Sequence, residues 1–368
     1  MRYTVRDVTI EPALVLAPME GVTDLTFRRL VRQIGGCGLT VTEFIPARSL
    51  AGSTQQALEM AMFDADERPI AIQIYGNDPE VMADGARLVA DLGADIVDLN
   101  MGCPSKKVCR NSGGSGLLKQ PELARDIVRA MRAATTLPFT VKMRSGWDAD
   151  LRNAPDIARM CEDEGVDGLA VHWRTRDDKY GGELDWSVVR QVKQAVSIPV
   201  LANGDIVDVP SAVRALEETG CDGLMVGRGA IRDPWVFQKI GAHLDGRPAP
   251  VVDVLERKRV LLGYLDAIRS RFRNDHGALG RFKKIAKYFT EGVPNGDGLR
   301  TAVLHSATVE QAVERVEAFF SEGQGDEDAR DGAHDERAHR DEAPGHHRHH
   351  PEQEPALGSL DHLLGGVG

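Results

Sequence analysis

Residues 94–118 read ADIVDLNMGCPSKKVCRNSGGSGLL. A strand-sized run, Ile96–Asn100, is entered from a Gly93-Ala94-Asp95 turn and left through a polar, glycine-rich loop that carries Cys103. The same Gly-x-Asp entry recurs at Gly165–Asp167 and Gly220–Asp222, which marks it as an αβ turn used three times. Working outward, short runs rich in β-branched and aliphatic residues predict strands at Ala13–Ala17, Leu39–Phe44, Ile70–Tyr75, Ile96–Asn100, Phe139–Arg144, Gly168–His172, Val200–Asn203 and Gly223–Gly227. Helix-period segments lie between most of them, at Thr26–Ile34, Pro79–Leu92, Pro121–Ala134, Ala154–Glu164, Trp186–Ala195 and Val209–Thr219. Several open on a proline and close on Gly35, Gly93, Gly165 or Gly220, as helix start and stop chemistry requires.

Strands that read as apolar runs, with helices between them, imply a parallel sheet covered by helices. Eight such units in ~250 residues match a TIM (β/α)8 barrel. The competing doubly wound sheet would place a GxGxxG after its first strand, and none is present. The barrel is assigned residues 1–245. From 246 to 322 the pattern is helical only, near Val254–Arg271, Gly280–Glu291 and Ser306–Phe320, which predicts a small C-terminal helical domain. Residues 323–368 form an acidic, His-rich tail with too little apolar surface to offset ordering entropy, so it is expected to be disordered. His346, His347, His349 and His350 lie there as solvated residues open to adventitious metal, and no metal site is expected.

The formal charge is −11, but residues 321–368 hold twelve Asp or Glu against four Arg. That segment is −8 and leaves −3 for the body of the chain, so the overall balance does not argue against a local basic face. Five scattered cysteines with no CxxC pair fit neither a disulfide framework nor a structural zinc. No basic segment followed by an apolar one opens the sequence, and no apolar run is long enough to span a bilayer. A cytoplasmic protein is expected, with no membrane contact and no obligatory protein partner.

In a TIM barrel the chemistry sits at the C-terminal ends of the strands. Polar residues gather there on seven of the eight: Pro18-Met19-Glu20-Gly21, Gln73, Asn100 to Pro104, Lys142 with Arg144, His172, Asn203-Gly204-Asp205 and Gly227-Arg228-Gly229. The glycine-rich loops after strands seven and eight suit a phosphate, with Arg228 adding a charge-assisted contact. Lys142, on an inward face, requires an anion or an electron-rich ring, or else an ion pair. His172 suits a hydrogen bond to a cofactor or substrate carbonyl. Cys103 reads as a thiol exposed to the pocket. With no histidine in its own segment it fits a proton donor better than a protease-type nucleophile. Cys109 is its rival in the same loop, while Cys37, Cys161 and Cys221 read as small apolar fillers.

Taken together, LAPMEGVTDLTFRRL (16–30), IAIQIYGNDPE (70–80), the opening stretch 94–118, TVKMRSGW (140–147), LAVHWRTRDDKYGG (169–182), VLANGDI (200–206) and GLMVGRGAIRDPWVF (223–237) resemble the tRNA-dihydrouridine synthase family. The pattern is most like its bacterial B-type members. GRFKKIAKYF (280–289) is similar, more loosely, to the family's RNA-contacting helix.

The resemblance implies FMN at the barrel mouth. Pro18, Met19 and Glu20 would lie beneath it, with Gln73 and Lys142 against the isoalloxazine. Asn203, Gly204, Asp205, Gly227 and Arg228 would hold its phosphate, with His172 nearby. It implies Cys103 as general acid and Asn100 as a residue that orients a flipped uracil. Arg176 and Lys179 would lie near the RNA, and Arg281, Lys283, Lys284 and Lys287 would contact its phosphates. The implied reaction reduces uridines in tRNA to 5,6-dihydrouridine: NADPH or NADH reduces FMN, hydride goes to C6 and the Cys103 proton to C5.

Three departures from the family stand out, one of them the acidic His-rich tail, which has no family counterpart. The loop reads NSGGSGLL where an alanine-rich version is usual, and Trp173 follows His172 where a small residue is usual, which would narrow the site or add stacking. Two rival readings remain: a flavin-dependent dehydrogenase acting on a free pyrimidine, and a non-catalytic RNA-binding factor. The first has no need of basic C-terminal helices, and the second gives no reason for Cys103 or Lys142.

Overall fold

The computed structural model describes residues 1–331 apart from 111, 180, 272, 273, 291 and 292, with side chains described as far as Ser321. These residues group into two compact units, one of Met1–Val251 with Lys287–Glu291, the other of Val252–Ala286 and the chain from Gly292 on.

The first unit opens with an antiparallel hairpin, β1 (Tyr3–Val5) and β2 (Val8–Ile10). A parallel barrel follows: β3 (Leu14–Leu16), β4 (Leu39–Val41), β5 (Ile45–Pro46), β6 (Ile70–Tyr75), β7 (Ile96–Met101), β8 (Phe139–Arg144), β9 (Gly168–His172), β10 (Val200–Asn203) and β11 (Gly223–Val226). β11 pairs with β3 and β4 with β6, so the sheet closes on itself as a TIM barrel.

The second barrel position is two pieces where the sequence predicts one strand, Leu39–Phe44. Val41 pairs with Ala71 and Ile45 with Ile74, so three residues, 42–44, stand opposite two of β6. The Thr42 hydroxyl takes the Gln73 N–H at 3.1 Å where a ladder would offer a carbonyl. The resulting bulge turns Glu43 onto the Gly21 N–H of the first strand's loop.

Helix boundaries follow the capping chemistry. Asp24, Asp78 and Asp208 accept first-turn N–H groups, and prolines stand in the first turn at 79, 121, 155 and 210. Gly35, Gly93, Gly165 and Gly220 all adopt positive φ, where a side chain would be strained.

The Gly-x-Asp turns share one purpose. Asp95, Asp167 and Asp222 accept the opening N–H of β6, β8 and β10 at 2.9, 2.9 and 2.7 Å. Each also pairs with a cation, Arg68, Arg132 and Lys193 respectively. The N-terminal end is filled by a buried cluster in which Tyr3, Val5 and Ile10 of the hairpin meet Ala13, Val15, Leu39, Ala71, Ile96 and Leu201 of the strands. The sequence reading leaves this hairpin out.

The second unit is all helical: Val254–Arg271, Asp275–Phe289 without its last turn, Gly296–Leu304 and Val309–Asp331. Its buried residues fall at helical spacing, as in Val309, Ala312, Val316 and Phe320. Three differences from the sequence reading appear. Gly296–Leu304 is an additional helix, the basic helix begins at Asp275, and the last helix runs through Asp331, past the expected start of the tail at 323. A helix nucleated on a buried face adds one hydrogen bond per residue without a new nucleation cost, so charged residues extend it. The remainder of the expected disordered tail, 332–368, lies outside the described residues. Among the described residues no helix is long and apolar enough to cross a membrane.

Candidate active site

Strand geometry sends alternate side chains inward. Along β7 the inward residues are Ile96, Asp98 and Asn100, and they climb from the apolar cluster into polar space. Register sets Gln73 beside Asp98, Asp98 beside Thr140, Asn100 beside Lys142 and Arg144 beside His172. The residues expected at the mouth from β6 to β9 therefore share one end of the barrel.

A continuous chain of hydrogen bonds links several of them. Thr140 Oγ1 donates to Asp98 Oδ1 at 2.5 Å and Gln73 Nε2 to Asp98 Oδ2 at 2.5 Å. Asn100 Nδ2 donates to Gln73 Oε1 at 2.8 Å. Asn100 Oδ1 accepts the N–H groups of Gly102 and Cys103 at 3.0 and 2.9 Å. Asp98 was absent from the sequence-based candidates, though the period-2 alternation that points Asn100 inward points Asp98 inward too.

Cys103 differs from its expectation: it is only 9% exposed. Its carbonyl accepts the Ser115 N–H at 3.1 Å and the Cys109 thiol at 3.3 Å, which folds residues 105–116 back over it. Gly114 makes that closure possible, since a Cβ there would stand 2.9 Å from the Cys103 carbonyl oxygen. Burial pushes the Cys103 thiol up to about 12, so it is a protonated group at neutral pH. Beside this loop a cleft is lined by Arg48, Tyr75, Asn77, Lys107 and Gly113, none of which the sequence reading marked as a site residue.

Lys142 forms no hydrogen bond or ion pair with a described residue. Burial, reinforced by the charge of Arg144, lowers it to about 8. His172 accepts the Arg174 N–H at Nδ1, 3.1 Å, which leaves its ring proton on Nε2. Burial and the charges of Arg144 and Lys142 hold it well below the ordinary imidazole range, so it is neutral. Arg144 is itself structural: it donates to the carbonyls of Gly102, Thr175 and Lys179 and straps two rim loops together.

After β10, Gly204 (φ +104°) and Asp205 (φ +52°) turn away from the strand, and their N–H groups have no acceptor among the described residues. A Cβ at Gly204 would lie 2.8 Å from His172 Cε1 and 2.9 Å from Trp173 Cδ1, so only glycine fits. The Asp205 carboxylate is taken by two arginines, Arg228 and Arg174, each at 2.7 Å. Arg174 Nη1 and Trp173 Nε1 are buried donors without a partner among the described residues. Trp173 is 1% exposed and covered by the Arg174 guanidinium 4.1 Å above its ring, so it offers no stacking face at the mouth, contrary to expectation.

Asn203 Nδ2 ties β10 to β11 through the Met225 carbonyl at 2.7 Å. Gly227 lies against Met19, whose N–H is held by Thr23 at 2.9 Å; Pro18 is half-buried and Glu20 exposed. Arg176 stacks over Trp147 at 4.6 Å and pairs with Asp177, while Lys179 is exposed.

The basic helix alternates as an amphipathic helix should. Phe282, Ile285, Ala286 and Phe289 are buried, and Arg281, Lys283, Lys284 and Lys287 are half-buried on its other positions. Arg281, Lys283 and Lys284 belong to the second unit, and the mouth residues to the first. The described residues hold no cluster of three or more His, Cys, Asp or Glu able to bind a metal.

The dihydrouridine synthase family model matches residues 15–324. Among similar proteins, tRNA-dihydrouridine synthase B of Pseudomonas syringae pv. tomato is 42% identical over 317 residues, 86% of this chain and 93% of that protein. The tRNA-dihydrouridine synthase B of Pseudomonas aeruginosa is 37% identical over 317 residues, 86% of this chain and 95% of that protein. Among solved structures, the old yellow enzyme homologue from Zymomonas mobilis superposes with a TM-score of 0.51 at 13% identity, covering 69% of this chain and 94% of that chain. At that identity the likeness concerns the barrel fold alone. With the family model matched from the first barrel strand into the last helix, and relatives aligned over most of both lengths, the chain belongs to the dihydrouridine synthase family.

Proposed function

We propose that this protein reduces the C5–C6 double bond of uridines in tRNA, using FMN and a reduced nicotinamide dinucleotide, with Cys103 as the proton donor. The observation that carries this reading is a protonated, buried thiol at the same barrel mouth as a buried lysine that forms no hydrogen bond or ion pair with a described residue.

The donor set fits a flavin. Lys142, the Gly204 and Asp205 amides, the orphaned Arg174 Nη1 and the His172 Nε2–H all offer hydrogens and no acceptor, which suits an anionic phosphate and an electron-rich ring. Lys142 and His172 would face the ring, while the loops at 203–205 and 227–228 would hold the phosphate, with Asp205 setting the two arginines in place. An FMN held there would supply hydride chemistry for the reduction of the uracil ring.

Cys103 supplies the other half of the reduction. Its S–H bond breaks as the proton moves to C5, leaving a thiolate that solvent must reprotonate before the next cycle. A thiol held near 12 keeps its proton until a strong base such as a developing carbanion is close. Asn100, whose oxygen already holds the Cys103 amide, keeps one amide hydrogen for the base. Arg281, Lys283, Lys284 and Lys287, with Arg48 and Lys107 on the barrel, supply phosphate contacts to the RNA. Free, unpaired cysteines fit a reducing cytoplasm.

The test is incubation of the full chain with FMN, NADPH and unmodified tRNA, followed by nucleoside analysis. Dihydrouridine at defined positions is the expected product. Its absence with a flavin-loaded protein, or equal turnover of free uracil, overturns the tRNA reading.

A further inference from the structure

Asp98 is 3% exposed, lies one inward position below Asn100, and takes no part in the chemistry proposed above. Both its oxygens are engaged, one by Thr140 and one by Gln73. A side-chain amide has nearly the same shape either way round, so its direction is set by its partners. An ionised carboxylate can only accept. Gln73 must therefore turn Nε2 toward Asp98, which leaves Oε1 for Asn100. Asn100 in turn must direct Nδ2 toward Gln73, which leaves Oδ1 to accept two backbone N–H groups, those of Gly102 and Cys103. Were the order reversed, the Asn100 amino group would face two donors and leave both unsatisfied in a buried setting.

We propose that Asp98 is a positioning residue, whose acceptor-only carboxylate fixes the direction of the Gln73 and Asn100 amides and so holds the backbone that carries the Cys103 thiol. Burial raises Asp98 to about 6, still below neutral, so the carboxylate persists at pH 7. The placement of Cys103 opposite a substrate rests on the function proposed above; the loop anchoring does not.

Asp98→Asn removes the bias, because an asparagine presents either end to Gln73. The two amide orders become comparable, and the state in which Asn100 no longer holds the Gly102 and Cys103 N–H groups is no longer rare. In the full chain as purified, alkylation of Cys103 by iodoacetamide, resolved from Cys109 by peptide mass spectrometry, is expected to rise about tenfold or more. Adding Gln73→Glu restores an acceptor facing Asn100 and returns the rate toward the parental value. Thr140→Val, which leaves the carboxylate in place, keeps the parental rate. An unchanged rate in Asp98→Asn, or an equal rise in Thr140→Val, overturns the inference.

If Asp98→Asn does not fold, Gln73→Met cuts the same relay and carries the same expectation. Oxidation of pre-reduced flavin by tRNA should slow about tenfold in Asp98→Asn while flavin content is kept. The alkylation readout needs no substrate, so a parent protein that forms no dihydrouridine sinks the proposed function and leaves the Asp98 result readable.

Discussion

At the N-terminal end of the barrel strands, Asp95, Asp167 and Asp222 each cap the first N–H of a strand and each meet a basic side chain. At the C-terminal end, among the described residues, Lys142 forms no hydrogen bond or ion pair, the His172 Nε2–H and Arg174 Nη1 find no acceptor, and Cys103 is pushed to about 12. One end uses ionisable groups to close structure, while the other also holds donors that no described residue satisfies. The contrast teaches where this chain trades stability for chemistry, and mutation at each end should separate the two.

The largest effect is expected at the mouth. Cys103→Ala should lower dihydrouridine formation by about 10²-fold or more through loss of the general acid, while flavin content and melting temperature stay near parental. Cys109→Ser should keep most of the activity. A Cys103→Ala protein with parental product formation would remove the proton-donor role.

Next comes the opposite end. Asp167→Ala leaves the Phe139 N–H without its acceptor and removes the carboxylate from Arg132 Nη1, and should cost about 1–3 kcal/mol in urea unfolding. Turnover per folded molecule should be unchanged. A variant that loses turnover but not stability would erase the distinction between the ends.

The smallest effect, and the sharpest, is one of sign. Lys142→Met removes a poorly solvated ammonium and should stabilise the flavin-free protein at pH 7 by about 1 kcal/mol while weakening flavin retention. Because folding lowers Lys142 from 10.5 to about 8, the unfolded chain binds more protons between those values. Parental stability should therefore climb with pH across that window, and the climb should vanish in Lys142→Met. Denaturant midpoints at pH 7 and pH 10 check both statements, and destabilisation at pH 7 would show that the charge is satisfied after all.

The barrel was legible because its signals are local. Gly35, Gly93, Gly165 and Gly220 announce helix ends that need positive φ, and the repeated Gly-x-Asp announces a turn whose aspartate caps the start of the preceding, neighbouring strand. The inward positions of Gln73, Asn100, Lys142 and His172 follow from period-2 alternation once the strands are placed. What failed was of another kind. The break at residues 42–44 depends on Thr42 meeting Gln73, 31 positions later in the chain.

By itself, the sequence determined the (β/α)₈ order and the gathering of polar residues at one end of the barrel. Backbone propensity and strand alternation act over a few residues, so a linear reading captures them. Only the tertiary structure decided that Cys103 is buried rather than exposed, that Asp205 serves two arginines, and that Asp98 commands the amides beneath the Cys103 loop. Those outcomes depend on desolvation and on hydrogen-bond direction between strands tens of residues apart. Closure of the barrel alone brings those groups within reach of one another.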